Sequence, residues 1–286
     1  MANGIFGTTI NLFKKYLEKF DISITVADLT IEKIINEISG KTKLIIIESP
    51  TNPLMQTIDI KKLSNGLEEK NIILLVDNTL VTPIFQKPLL QGATLSLNSA
   101  GKFFDGLGRC VGGSISGSHE YISQLKMYLR HTGTCISPFN AWILSNSIDT
   151  LEVRMLKHVE NARKVFKFLN DSQYISKIYS TFFQEATGDN NNGFECVSPL
   201  ISFEIKGGKE SAWNFIDNLI LVENCTNIGG SKTMITNSAT TTHCRYDVEV
   251  RNKLGITDGL LRLCVGLENP NDIINDLHNA FENTFI

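Results

Sequence analysis

The 286-residue chain has no large excess of either charge: 27 Lys and Arg against 30 Asp and Glu leave a net −3. The basic footprint of a nucleic-acid binder is missing, so no nucleic-acid partner is expected. No apolar run approaches the roughly 20 residues that cross a bilayer, and no membrane partner is expected either. The opening residues MANGIFGTT lack a basic stretch followed by an apolar one, which argues against a signal peptide. The six cysteines (Cys110, Cys135, Cys196, Cys225, Cys244, Cys264) form no CxxC pair and no cluster with histidine. That spacing argues against zinc and against a disulfide framework. A reduced, cytoplasmic compartment fits such usage. Internal repeats and low-complexity tracts are also lacking.

Hydrophobic residues make up 42% of the chain, enough to build the core of one large domain or two ordinary ones. Leu12, Phe13, Tyr16, Leu17 and Phe20 give one helix face between Thr9 and Phe20. Ile22–Ala27 alternates and reads as a strand. Thr30 and Asp59 are placed to cap helices. Leu44–Ile47 is a continuous apolar run, as in a strand buried on both faces. It ends in Glu48-Ser49-Pro50-Thr51-Asn52-Pro53, where two prolines forbid regular structure. Further strands read at Ile72–Val76, Thr94–Leu97 and Val111–Ser116. Alternating strands and helices imply a mostly parallel sheet. Beyond Ser137-Pro138 a long helical pattern runs to Leu169. Strands at Ser198–Ile205 and Leu260–Val265, and helices at Ser211–Leu221 and Asn271–Phe281, follow. Gly188–Gly193 is a polar loop.

In a parallel sheet, ligands bind outside the carboxyl ends of the strands. Glu48, Asn52, Asp77, Ser99 and Lys102 all fall at that edge. Asp77 alone reads equally as a turn acid. Its other reading is a buried carboxylate facing a cation, since an unpaired buried charge is costly. Lys102 alone reads as a solvated lysine or a phosphate ligand. As an imine with an aldehyde, or desolvated beside other cations, it becomes a usable base and nucleophile. Together, on successive strand ends, the acid and the amine suit a cofactor with a basic ring nitrogen and an aldehyde. Ser99 and nearby backbone N–H groups can hold a phosphate. Arg262 lies inside an apolar strand, where it calls for a carboxylate partner, structural or substrate. His243 reads as structural.

Five motifs carry a resemblance. ESPTNP (Glu48–Pro53), VDNT (Val76–Thr79), SAGK (Ser99–Lys102), SPFNAW (Ser137–Trp142) and RLCVGLE (Arg262–Glu268) resemble the trans-sulfuration enzymes, the Cys/Met-metabolism family that uses pyridoxal phosphate. They stand in the family order and cover essentially the whole chain. DGLGRCVGG (Asp105–Gly113) and NIGGSKTMITNSATTTH (Asn227–His243) look most like the O-succinylhomoserine sulfhydrylase branch. The resemblance implies an α/β fold of the aspartate-aminotransferase-like type. A cofactor-binding large domain would span residues 1–158 and a smaller α+β domain residues 159–286.

It also implies roles. Lys102 would hold the cofactor and shuttle protons, and Asp77 would pair with its ring nitrogen. Phe6 would stack on the ring, Asn52 would contact its phenolic oxygen, and Ser99 its phosphate. Arg262 and Asn227 would bind the substrate. The implied reaction is γ-replacement on a homoserine ester with sulfide, giving homocysteine for methionine biosynthesis, in a homodimer or homotetramer. A cystathionine γ-synthase or lyase is the neighbouring reading, and a non-catalytic or partner-completed subunit the distant one. Gly101 stands where the family usually has Thr, Leu107 where it has a polar residue, and Asn237-Ser238 where it has His-Pro. The family's leading arm and Ser-Gly-Met phosphate loop would precede residue 1, so the large domain is expected to be truncated at its front.

Overall fold

The computed structural model of the chain describes residues 1–183 and 196–285. The Gly188–Gly193 segment lies outside them. The first of two sheets has the order β1-β2-β3-β4. Its strands are β1 (Leu44–Glu48), β2 (Ile73–Asp77), β3 (Leu95–Ser99) and β4 (Gly113–Gly117). The first three are parallel, and β4 returns antiparallel to β3. The apolar run of β1 is buried as its composition demands. Ile45 and Ile47 share a core with Leu74 and Val76 of β2 and with Ile34, Ile60 and Leu63. Those last three sit on α2 (Ile31–Asn36) and α3 (Ile60–Asn65). Both helices start at the expected caps. Thr30 Oγ1 accepts from Lys33 N at 3.3 Å and Asp59 Oδ1 from Lys62 N at 2.9 Å.

The second sheet, of order β5-β6-β9-β8-β7, is antiparallel except where β7 meets β8. It comprises β5 (Ile175–Tyr179), β6 (Leu200–Ile205), β7 (Glu223–Asn224), β8 (Met234–Asn237) and β9 (Leu260–Cys264). Three helices pack on it: α7 (Leu151–Asn170), α8 (Gly208–Asp217) and α10 (Pro270–Phe285). Their apolar stripes bury Leu169, Phe215 and Phe281 against Phe203 of β6. A separate cluster joins the two sheets. It brings Met55, Leu80 and Phe103 together with Leu151, Met155, Leu200 and Cys264.

The structure departs from the sequence reading at several points. Ile22–Ala27 forms no strand. Ala27 makes one isolated bridge to Ala2, and Ile22 and Val26 stay exposed. Alternation alone does not hold a strand without a neighbouring ladder. The helical face begun at Thr9 lies on α1 (Gly7–Lys15), followed by a 3-10 turn at Leu17–Phe20. The long pattern after Ser137 is two helices, α6 (Pro138–Ile148) and α7, parted at Asp149-Thr150. A helix over His119–Thr132 was not read from the sequence; it buries none of its residues, although Tyr121, Ile122, Leu125, Tyr128 and Leu129 recur at helical spacing. Among the described residues, no helix is long and apolar enough to cross a membrane, and no cluster of His, Cys, Asp and Glu could hold a metal ion.

Asp276 of α10 shows how helix and sheet are fastened. Its carboxylate accepts from the backbone N–H groups of Ile220, Leu221 and Val222 at 2.9–3.0 Å. Each buried donor left unpaired costs about 1–3 kcal/mol, and Ile220 can turn to water. Asp276→Ala is therefore expected to lower unfolding free energy by about 2–4 kcal/mol. Urea unfolding monitored by circular dichroism checks this, and a loss below about 1 kcal/mol would show the three bonds to be dispensable.

Candidate active site

The parallel register brings β1 and β2 to a common end, with Glu48 paired to Asp77 and Asp77 to Leu97. Past β3 the chain closes a π-helical turn, Ala100–Phe104, inside which Lys102 leaves helical geometry (φ −98°, ψ −124°). Single π turns recur at functional sites, where the wider turn re-aims a side chain. Arg154 of α7 fastens this turn from outside, donating to Phe103 O at 2.6 Å, Phe104 O at 3.0 Å and Ser147 O at 2.8 Å. Gly106 has φ +72°, and a Cβ there would meet Arg154 Nη1 at 2.3 Å. The positive φ is what calls for glycine at the DG step, since the crowding is against the end of the Arg154 side chain. His158 adds a second fastening. Burial pushes its pKa down to about 4, so the neutral ring donates from Nδ1 to Val265 O at 2.8 Å. Its edge packs on Phe103.

Lys102 Nζ donates to Asn227 Oδ1. Burial, and then the Arg262 charge, hold the amine below the usual lysine range. Arg262 is itself buried in the middle of β9. It donates from Nη1 to Asn52 Oδ1 at 3.2 Å and from Nη2 to Thr226 O at 2.6 Å. Its Nε is buried and has no partner. No carboxylate lies within ion-pair distance of it among the described residues. A carboxylate partner from within the described chain is therefore absent. Asn52 is held in turn by its loop, since Ser202 of β6 donates to Pro53 O at 2.7 Å.

Asp77 is in the opposite position, a partly buried carboxylate with no ion-pair partner among the described residues. Burial raises its pKa, and hydrogen bonds from Thr79 oppose the rise. Oδ1 accepts from Thr79 N at 3.0 Å and from Thr79 Oγ1 at 2.5 Å. The same Thr79 hydroxyl accepts from Ser99 N at 2.8 Å. Beside Asp77, Glu48 is 5% exposed and accepts from Phe6 N at 2.9 Å. Phe6 opens α1 with its ring half-exposed.

The seven residues singled out from the sequence thus fall into two bonded groups, drawn from the edge of the first sheet and from the second sheet beside it. Lys102, Asn227, Arg262 and Asn52 form one. Asp77, joined to Ser99 by Thr79 and set beside Glu48, which holds Phe6, forms the other. The roles of Glu48 and Thr79 were missed, although Glu48 ends its apolar run just as Asp77 does. Arg154 and His158 were missed because their partners are backbone carbonyls far along the chain. His243 lines a cavity of about 400 Å³ with Asn52 and Tyr246. Burial and the charges of Arg262 and Arg251 lower its pKa to about 4.

Gly101 has a structural reason. A Cβ there would lie 2.5 Å from Cys110 O, a backbone atom that cannot swing aside. Gly101→Thr should therefore destabilise the chain by about 1–3 kcal/mol. Denaturant unfolding of this variant is the check, and a threonine accepted without loss would show that the Cys110 backbone gives way.

The Cys/Met metabolism PLP-dependent enzyme family matches residues 1–282. The chain is 37% identical to an O-succinylhomoserine sulfhydrylase of Pseudomonas aeruginosa, over 97% of its own length and 70% of the relative's. It is 34% identical to an L-methionine gamma-lyase of Fusobacterium nucleatum, over 97% of this chain and 72% of that one. Among solved structures, a cystathionine gamma synthase from Xanthomonas oryzae pv. oryzae superposes with a TM-score of 0.93 at 29% identity. That match covers 99% of this chain and 74% of the other. A fold of the expected α/β type, the ordered motifs and these relatives lead to one conclusion: the chain belongs to the Cys/Met metabolism family of pyridoxal-phosphate-dependent enzymes.

Proposed function

We propose that the chain replaces the γ-substituent of O-succinylhomoserine, or a related homoserine ester, with sulfide, releasing succinate and L-homocysteine. The observation that carries this reading is that Lys102 and Asp77, at the edge of the first sheet, and Arg262, inside β9 of the second, each lack an ion-pair partner among the described residues. The choice of substrate within the family leans on the likeness to the Pseudomonas aeruginosa sulfhydrylase.

The residues fit the family's cofactor. A partly buried carboxylate, raised in pKa by burial and without an ion-pair partner among the described residues, suits a protonated ring nitrogen. An amine held below its usual pKa suits an aldehyde. When bound, pyridoxal phosphate supplies an electron sink adjoining the substrate's α-carbon. Asp77 holds a proton at the ring nitrogen, and Thr79 fixes the carboxylate's rotamer. Phe6 would cover the ring, Asn52 would bind its phenolic oxygen and Ser99 its phosphate. Arg262 takes the substrate α-carboxylate on a planar fork with one N–H still unpartnered. Asn227 receives Lys102 Nζ and so holds the amine near its working place. Lys102 removes the proton from Cα and helps remove one from Cβ. Succinate leaves Cγ, sulfide bonds there, and Lys102 returns both protons, so the amine ends as it began.

The neighbouring reading is elimination, since L-methionine gamma-lyase and cystathionine beta-lyase are also among the relatives, at 34% and 33% identity. The chain loaded with pyridoxal phosphate should convert O-succinylhomoserine and sulfide to homocysteine. It should do so at least about tenfold more efficiently than it converts O-succinylhomoserine and cysteine to cystathionine, or releases keto acid from methionine or cystathionine. Keto acid as the main product would assign a lyase instead. Asp77→Asn should slow exchange of the α-proton with deuterated water by at least about a hundredfold. Unchanged exchange would leave Asp77 a structural residue.

A further inference from the structure

Glu48 belongs to the sheet edge but has no part in the reaction as described. Parallel strands lie about 4.8 Å apart, and in-register residues point to the same face. Glu48 and Asp77 are such a pair. The chain therefore sets two carboxyl groups side by side in a site where Glu48 is 5% exposed. Neither has an ion-pair partner among the described residues. Glu48 is the drier of the two, Asp77 being only partly buried, and neighbouring carboxyl groups in such a site resist ionising together. One of them must keep its proton, and the hydrogen bonds differ between the two.

Asp77 receives two donors on one oxygen, from the N–H and hydroxyl of Thr79. Glu48 receives the N–H of Phe6 on Oε2. We infer that Glu48 is a positioning residue: it stays a neutral carboxylic acid, leaves the negative charge to Asp77, and anchors the Phe6 segment over the site through the Phe6 N–H. This rests on the reading that Asp77 faces a cationic ring nitrogen. The groups around Glu48 agree. Burial is the largest influence and raises its pKa well above the usual carboxyl range, and the Asp77 charge raises it further. The N–H groups of Phe6 and Asn52 and the charge of Arg262 act the other way, as lesser influences. The arrangement couples two parts of the site. The aromatic that covers the ring and the acid that charges it meet through one shared proton balance across β1 and β2. An ionised Glu48 would compete with Asp77 for the cation and raise the cost of keeping Asp77 charged.

The sign of the pH effect is fixed by linkage. A carboxyl neutral in the folded chain and ionised in the unfolded one gives relative stability below the ordinary carboxyl pKa. That stability is lost as pH rises from there to the folded pKa. Glu48→Gln is neutral in both states and nearly the same shape. The unfolding equilibrium of the wild-type chain relative to Glu48→Gln should therefore shift toward unfolding as pH rises above about 4.5. The shift approaches tenfold per pH unit. In the Asp77→Asn background the window should shrink, because the repelling neighbour is gone.

The direct measurement is the infrared spectrum of the chain at neutral pH, with and without pyridoxal phosphate. A protonated, buried carboxyl band should be present in the wild type and missing from Glu48→Gln. A wild-type chain without that band, or a stability difference that does not change with pH, overturns the inference. So does a Glu48→Gln chain that fails to fold, since the amide reproduces the neutral acid. None of these readouts depends on turnover. A protonated Glu48 in a chain that turns out to be a lyase would leave this inference standing and overturn only the choice of reaction.

Discussion

Partial burial of the Asp77 carboxylate, with no ion-pair partner among the described residues, is the constraint on which the rest of the site depends. Moving an ion out of water is costly, and proteins normally answer with a partner or with protonation. Here the chain answers with geometry. Thr79 gives two hydrogen bonds to one oxygen and takes one from Ser99, so the ends of β2 and β3 are locked together. The in-register end of β1 supplies a neighbour whose own ionisation is disfavoured. The fold thus places this acid where three parallel strands stop, without an ion-pair partner among the described residues.

The amine side obeys the complementary rule. Arg262 is buried and Lys102 partly so, and burial followed by the Arg262 charge holds the Lys102 amine below the usual lysine range. Their hydrogen bonds run to Asn227, Asn52 and Thr226, all neutral oxygens. Neutral partners hold the side chains in place without cancelling their chemistry. The second sheet contributes Arg262 from β9, and the loop before β8 contributes Asn227. The cluster around Phe103, Met155 and Leu200 fixes the two sheets against each other beside the lysine turn. Arg154 of α7 binds that turn through the carbonyls of Phe103 and Phe104, while His158 packs on Phe103 and bonds Val265 O just beyond β9. The site is therefore assembled by packing between the sheets as much as by the sheet edge itself.

The sheet edge was legible in the sequence because each strand of the parallel core is a short apolar run with a polar residue at its end. Leu44–Glu48 and Ile73–Asp77 needed no more than that. Residues whose partners lie far along the chain were not legible. Arg154 reads as one more charged residue on a long helix, and nothing local shows that it spans to Phe103 O. Gly101 looked like a lost hydroxyl, whereas the nearness of Cys110 O gives it a steric cause. Ile22–Ala27 alternated convincingly and still formed no strand, because the segment beside it offers a single bridge. Periodicity reports which face is apolar, and whether a ladder exists is decided elsewhere in the fold.

The central claim is that Lys102, among all lysines of the chain, is the one poised to bind an aldehyde beside a waiting carboxylate. Pyridoxal phosphate added to the chain, fixed with borohydride and followed by peptide mapping tests it most directly. The account predicts that the label falls on Lys102 and that Lys102→Ala loses the visible absorption band. Label spread over surface lysines, or concentrated on another one, would contradict it.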